Sequence, residues 1–113
     1  MNLNPSAQRI YDETMKEADR VECMVLKDIA ERHDKMASTS HRSVMSKYHK
    51  QHGICADRFS EAIVRLIYAK QIIPVYAPGS HMFDVIDAMN LTRAAYERIN
   101  HPMPIWKDEG HDA

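Results

Sequence analysis

Glycine and cysteine are scarce in this chain, with three and two residues among 113. So few glycines leave no Gly-rich loop to cradle a phosphate, and no nucleophile elbow or paired-carboxylate motif stands in their place. Cys23 and Cys55 have no framework of close spacings and read as free thiols of a cytosolic chain. Long apolar runs are missing as well, so no membrane span is expected. The start, Met1-Asn2-Leu3-Asn4-Pro5, lacks the charged-then-apolar order of a signal peptide. These absences predict a cytoplasmic protein without catalytic residues, cofactor or metal. A length of 113 residues gives one domain with a core that needs no disulfide, and the 27% charged and 44% hydrophobic fractions fit a folded globule.

An excess of one charge sign is also missing from the total, which is −1. The distribution is uneven. Residues 35–70 hold seven Lys/Arg (Lys35, Arg42, Lys47, Lys50, Arg58, Arg65, Lys70) against Asp57 and Glu61, whereas both flanking segments are acidic. A basic middle between acidic ends is the pattern that a near-zero sum conceals.

What is present is helical periodicity. Asn4-Pro5 is a helix start. Ile10, Tyr11, Met15, Ala18, Val21, Val25 and Ile29 then recur at three- and four-residue steps. The spacing predicts a helix over 5–37, or two joined near Asp19–Glu22. Ser38-Thr39-Ser40 breaks it with capping chemistry, and a second helix follows over 41–52, stopped by Gly53. A third runs from Cys55 or Ala56 to about Gln71, with Phe59, Ala62, Ile63, Leu66 and Ile67 on its apolar face. The period then shortens. Ile72–Tyr76 and Met82–Ile86, around the turn Ala77-Pro78-Gly79-Ser80, predict a β-hairpin whose Pro74 strand is an edge. A last helix is expected within 88–100, with Asn90 as its cap, before a tail over 101–113.

Helix, helix, short turn, helix and hairpin is the order of a winged helix-turn-helix, and residues 45–86 resemble that superfamily. Met45–His52 resembles its positioning helix, Gly53 falls where the family uses glycine and Ile54 where it uses a small apolar residue; Phe59 and Ala62 fall on buried positions of the recognition helix. His49 is a departure, because the family usually places alanine four residues before the turn glycine, where the two helices touch. The resemblance implies a mainly α fold with a short β wing, one domain over 1–100, and binding to double-stranded DNA. It implies base contacts from Asp57, Arg58, Glu61 and Arg65, and phosphate contacts from Ser43, Lys47, Lys50 and His41 and from Ser80 and His81 at the wing tip.

The wide apolar stripe of the first helix fits either burial by its own domain or a partner, most simply a second copy, and in the second case Tyr11, Met15, Met24, Leu26 and Trp106 are the residues expected at the dimer or partner interface. The function expected is that of a small dimeric transcriptional regulator, a repressor. The alternative is a non-catalytic protein-binding module or inhibitor, of the kind mobile elements carry, that binds a host protein through helical surfaces; the basic middle is then only a solvated face. His49, His52 and Cys55 are three apart, as zinc ligands can be, but Gly53 breaks the helix between them.

Overall fold

The computed structural model of the protein describes residues 4–79 and 86–104. In chain order it contains α1 (Pro5–Asp34), α2 (His41–His52), α3 (Ala56–Tyr68), β1 (Ile72–Tyr76), β2 (Ile86–Leu91) and α4 (Arg93–Arg98). The fold is mainly helical with a two-stranded antiparallel sheet.

Asn4 caps α1 by accepting the Ala7 N–H at 2.8 Å, with Pro5 in the first turn. The helix is one element, with no break at Asp19–Glu22. It stops three residues short of the expected end. Met36 takes a left-handed φ of 56°, and the Ala37 N–H donates back to the Arg32 carbonyl at 2.8 Å, which reverses the chain. Thirty residues at 1.5 Å each make a rod of about 45 Å, and this sets the long dimension of 48 Å. Only the second half of the rod is packed: Val21, Val25, Leu26, Ile29 and Ala30 are buried, while no described residue before Val21 is. Leu26 therefore belongs to the core of its own chain, with no exposed surface to give the interface expected of it. Met36 is not the apolar filler that its residue type suggests, because it stands out on the reversal.

Ser40 caps α2, accepting the Ser43 N–H at 3.2 Å. Val44 and Tyr48 turn inward. Gly53, at φ 65°, ends the helix in the left-handed region that glycine enters without steric cost. Ile54 is buried, and α3 starts at once with Phe59, Ala62, Ile63 and Leu66 on its core face. α3 ends at Tyr68, because Lys70 takes a φ of 58° and the Gln71 N–H donates to the Leu66 carbonyl.

The hairpin corrects the expected boundaries. The second strand covers Ile86–Leu91, beyond the expected end at Ile86; Met82–Val85 of the expected strand lie outside the described residues. The last helix, expected within 88–100 behind Asn90, instead runs over Arg93–Arg98 behind Thr92. A bulge is the reason. Val75 pairs with Ala88 and Tyr76 with Ile86, so Asp87 is the extra residue. The bulge lets Ile86 and Met89, three apart, both face the core, a spacing that otherwise belongs to a helix.

Both outer edges of the sheet are managed. The Met89 N–H donates to Thr39 Oγ1 at 3.2 Å, and the His33 ring meets the Met89 carbonyl at 2.9 Å, so this residue's backbone faces away from β1. Its cross-strand partner Pro74 must then also point outward, placing the position that lacks an N–H on the open edge. The β2 edge is thus docked on the end of α1 and the α1–α2 connection. Thr92 fastens the other end of the hairpin, its N–H donating to the Gln71 carbonyl at 3.1 Å and its hydroxyl to the Lys70 carbonyl at 2.9 Å.

Candidate nucleic-acid interface

From Lys35 to Ala56 the chain contains no carboxylate. α2 lies inside that stretch, and its helical period sorts the cations into two groups. Lys47 turns inward. Its Nζ donates to Asp28 Oδ1 at 2.6 Å, and Arg32 Nε donates to Asp28 Oδ2 at 3.0 Å. Arg32 also donates to the Ser38 carbonyl at 3.0 Å, so a nearly buried Asp28 ties α1 to α2 and to their connection. Ser43 is likewise engaged in the cap, exchanging hydroxyl hydrogen bonds with Ser40 and Ser38. His41, expected at a phosphate, is buried edge-on to Phe59 with ring centres 5.2 Å apart. It has no surface to offer an anion. Arg42, Ser46, His49 and Lys50 form the opposite, exposed face, and among the described residues neither Arg42 nor Lys50 makes an ion pair. The imidazole that departs from the family pattern, His49, points to solvent and leaves the approach of α3 to α2 unobstructed.

α3 is different. Opposite its buried face stand Asp57, Glu61, Val64 and Tyr68, all exposed and one helical stripe, with Tyr68 at 84% exposure. Arg58 and Arg65 lie on the flank that faces α1. Arg65 Nε donates to Glu22 Oε2 at 2.7 Å, and Glu22 also accepts from Arg98 at 3.0 Å, so α1, α3 and α4 share one carboxylate. Arg98 binds Asp19 at 2.6 Å and Gln71 at 2.9 Å; burial works against its charge, but the hydrogen bonds to Asp19 and Glu22 outweigh it and raise its pKa. A groove of about 380 Å³ separates this flank from the free half of α1, between Ile10, Glu13, Thr14, Glu17, Ala18 and Val21 on one wall and Arg58, Glu61 and Arg65 on the other. Arg20, by hydrogen bonding and charge, holds the Glu17 carboxyl below its usual range, and the Arg58 charge acts in the same direction across the groove.

The expected site residues thus divide. Lys50, Asp57, Arg58 and Glu61 are exposed, while Ser43, Lys47 and Arg65 are engaged by neighbours within the chain. Ser80, His81 and Trp106 lie outside the described residues. Arg42 and Ser46 were missed, although the i, i+4, i+7 spacing of Arg42, Ser46 and His49 opposite Val44 and Tyr48 carries the signal. Of the expected interface residues, Tyr11 and Met15 are exposed and Met24 is half-buried against the core.

Among the described residues no group of three or more His, Cys, Asp or Glu is placed to hold a metal, and no helix is long and apolar enough to cross a membrane. Compared with protein-family models, curated proteins and solved structures, the chain matches none.

Proposed function

We propose that the protein is a small DNA-binding transcriptional regulator, a repressor of winged helix-turn-helix type that acts as a homodimer. The observation that carries this reading is the acid-free outer face of α2, set on a helix pair joined by Gly53 at φ 65° and flanked by a docked hairpin. In this reading Arg42, Ser46, His49 and Lys50 lie along the phosphates and fix the register on the duplex. The first turns of α3 enter the major groove, where Arg58 meets a guanine edge and Asp57 or Glu61 accepts from cytosine. A two-fold pair of such units spaces two recognition helices by about one turn of DNA.

The test is fluorescence anisotropy with duplexes drawn from the DNA upstream of the protein's own gene, at low salt. Binding that is lost in Arg42→Glu, Lys50→Glu supports the reading. Absence of binding to every fragment overturns it.

A second reading has its own observation. The outermost line of α3 carries two carboxylates, Val64 and Tyr68, a composition suited to another protein better than to a polyanion. If the protein is such a binding module, its complex survives nuclease and moderate salt, and Val64→Ala with Tyr68→Ala disrupts it.

A further inference from the structure

We infer that His101 is a proton-operated clasp: its imidazolium ties the segment after α4 to the end of α1, and the tie loosens when the ring gives up its second proton. The inference stands apart from the DNA reading and needs neither a duplex nor a second copy.

Two acceptors carry it. His101 Nε2 lies 3.0 Å from Asp34 Oδ2, and Nδ1 lies 2.9 Å from the Pro102 carbonyl oxygen. A carboxylate and a carbonyl only accept, and a neutral imidazole has a single N–H. In the neutral ring one nitrogen therefore turns a lone pair toward an oxygen at hydrogen-bond distance. Only the imidazolium donates to both. Asp34 is also the last residue of α1, where the negative end of the helix dipole favours a cation. His33, one position earlier, is a contrast. Its Nε2 meets the Met89 carbonyl at 2.9 Å, a contact that a neutral ring satisfies as well as a charged one.

The backbone on which the ring stands is fixed without help from the proton. Asn100 takes a left-handed φ of 53°, and the His101 N–H donates to the Tyr96 carbonyl at 3.0 Å. This helix end brings the His101 ring to 5.8 Å from the ring of Tyr96, itself buried. Two residues on, Met103 packs against the core. The charged and titratable groups around the imidazole are Asp34, with Lys27 and Glu31 on the same side of α1 and Lys35 at its cap, and Tyr96 and Glu97 on α4. Among the described residues only Asp34 pairs with it. Burial first, and the Asp34 charge second, raise the Tyr96 phenol, so the field of this carboxylate reaches α4. Asp34 is half-exposed, which gives the tie the strength of a surface pair and lets it open without unfolding the body. Its contribution is present in acid and is lost as pH rises through the histidine range, between about pH 5 and 8.

A double-mutant cycle over Asp34→Asn and His101→Gln, read as thermal midpoints of the full chain, isolates the pair from the other histidines. At about pH 5.5 the double variant should lose about 2–4 °C less than the sum of the two single losses, and at about pH 8 the losses should add. Methionine oxidation by dilute peroxide gives the local view, with Met36, 94% exposed, as the internal reference. The rate at Met103 relative to Met36 should rise severalfold from the lower pH to the higher in the wild type, and Asp34→Asn should remove that rise. Losses that add at both pH values, a coupling of equal size at both, or a Met103 rate that ignores pH overturns the inference.

Discussion

α2 and α3 are near-equal in length and joined by three residues, yet they spend their charge differently. α2 has no carboxylate, so its outward cations remain available while a single inward one, Lys47, is neutralised by Asp28. α3 carries two carboxylates outward and turns Arg58 and Arg65 toward the acidic wall of α1. A cation is thus informative only with its partner. The same net positive segment contains Lys47 and Arg65, which hold the fold together, and Arg42 and Lys50, which make no ion pair among the described residues.

The sharpest way to break this contrast is to remove the inward partner. Asp28→Ala leaves Lys47 and Arg32 without their shared counter-charge in a nearly buried place, and should cost about 3 kcal/mol, seen as a large fall in thermal midpoint. Arg42→Ala with Lys50→Ala should shift stability by less than about 0.5 kcal/mol. An equal loss from both would erase the distinction between inward and outward cations.

On binding the order reverses. Arg42→Glu with Lys50→Glu should weaken duplex affinity by roughly tenfold to a hundredfold, because attraction to two phosphates becomes repulsion. Arg65→Ala should act mainly on stability, since its guanidinium is held by Glu22. If Arg65→Ala is the more damaging to binding, α3 and not α2 carries the electrostatic attraction.

A smaller effect tests how α2 sits on α1. Burial first, and the Asp28 charge second, push the Tyr48 phenol well above its ordinary value of 10.0, and its hydroxyl donates to the Met24 carbonyl. The folded phenol stays protonated where the unfolded one ionises. Its stabilising contribution is therefore complete below about pH 10 and is lost as pH rises further. Denaturant titrations of wild type should show this alkaline decline. Tyr48→Phe should reduce it, at a cost near 1 kcal/mol at neutral pH for the hydrogen bond. Smallest of all, Val64→Ala and Tyr68→Ala on the outer line of α3 should leave the melt within about 0.5 kcal/mol, since neither is in the core.

The legibility of the fold follows the same division. α2 and the α2–α3 turn were readable to the residue, because Ser40 and Gly53 act within one helical turn of themselves. The end of α1 was less so. Met36, a residue type that seldom takes positive φ, closes it where glycine would have announced the stop. Residues 88–91 read as the start of the last helix, because Asn90 offers a cap there and the bulge at Asp87 shows only in the pairing with β1. In the candidate site, exposed Lys50, Arg58 and Glu61 could be anticipated from period alone. The engagement of Lys47 by Asp28 and of Arg65 by Glu22 could not, since those partners are 19 and 43 residues away in sequence.

The most direct test of the central claim is the salt dependence of duplex binding, measured by anisotropy for wild type and for Arg42→Ala with Lys50→Ala. Removing one cation from a phosphate should reduce the slope of log affinity against log salt by about one. The predicted result is a slope lower by about two in the double variant, with the melt unchanged. An unaltered slope, or no binding by the wild type at low salt, would contradict it.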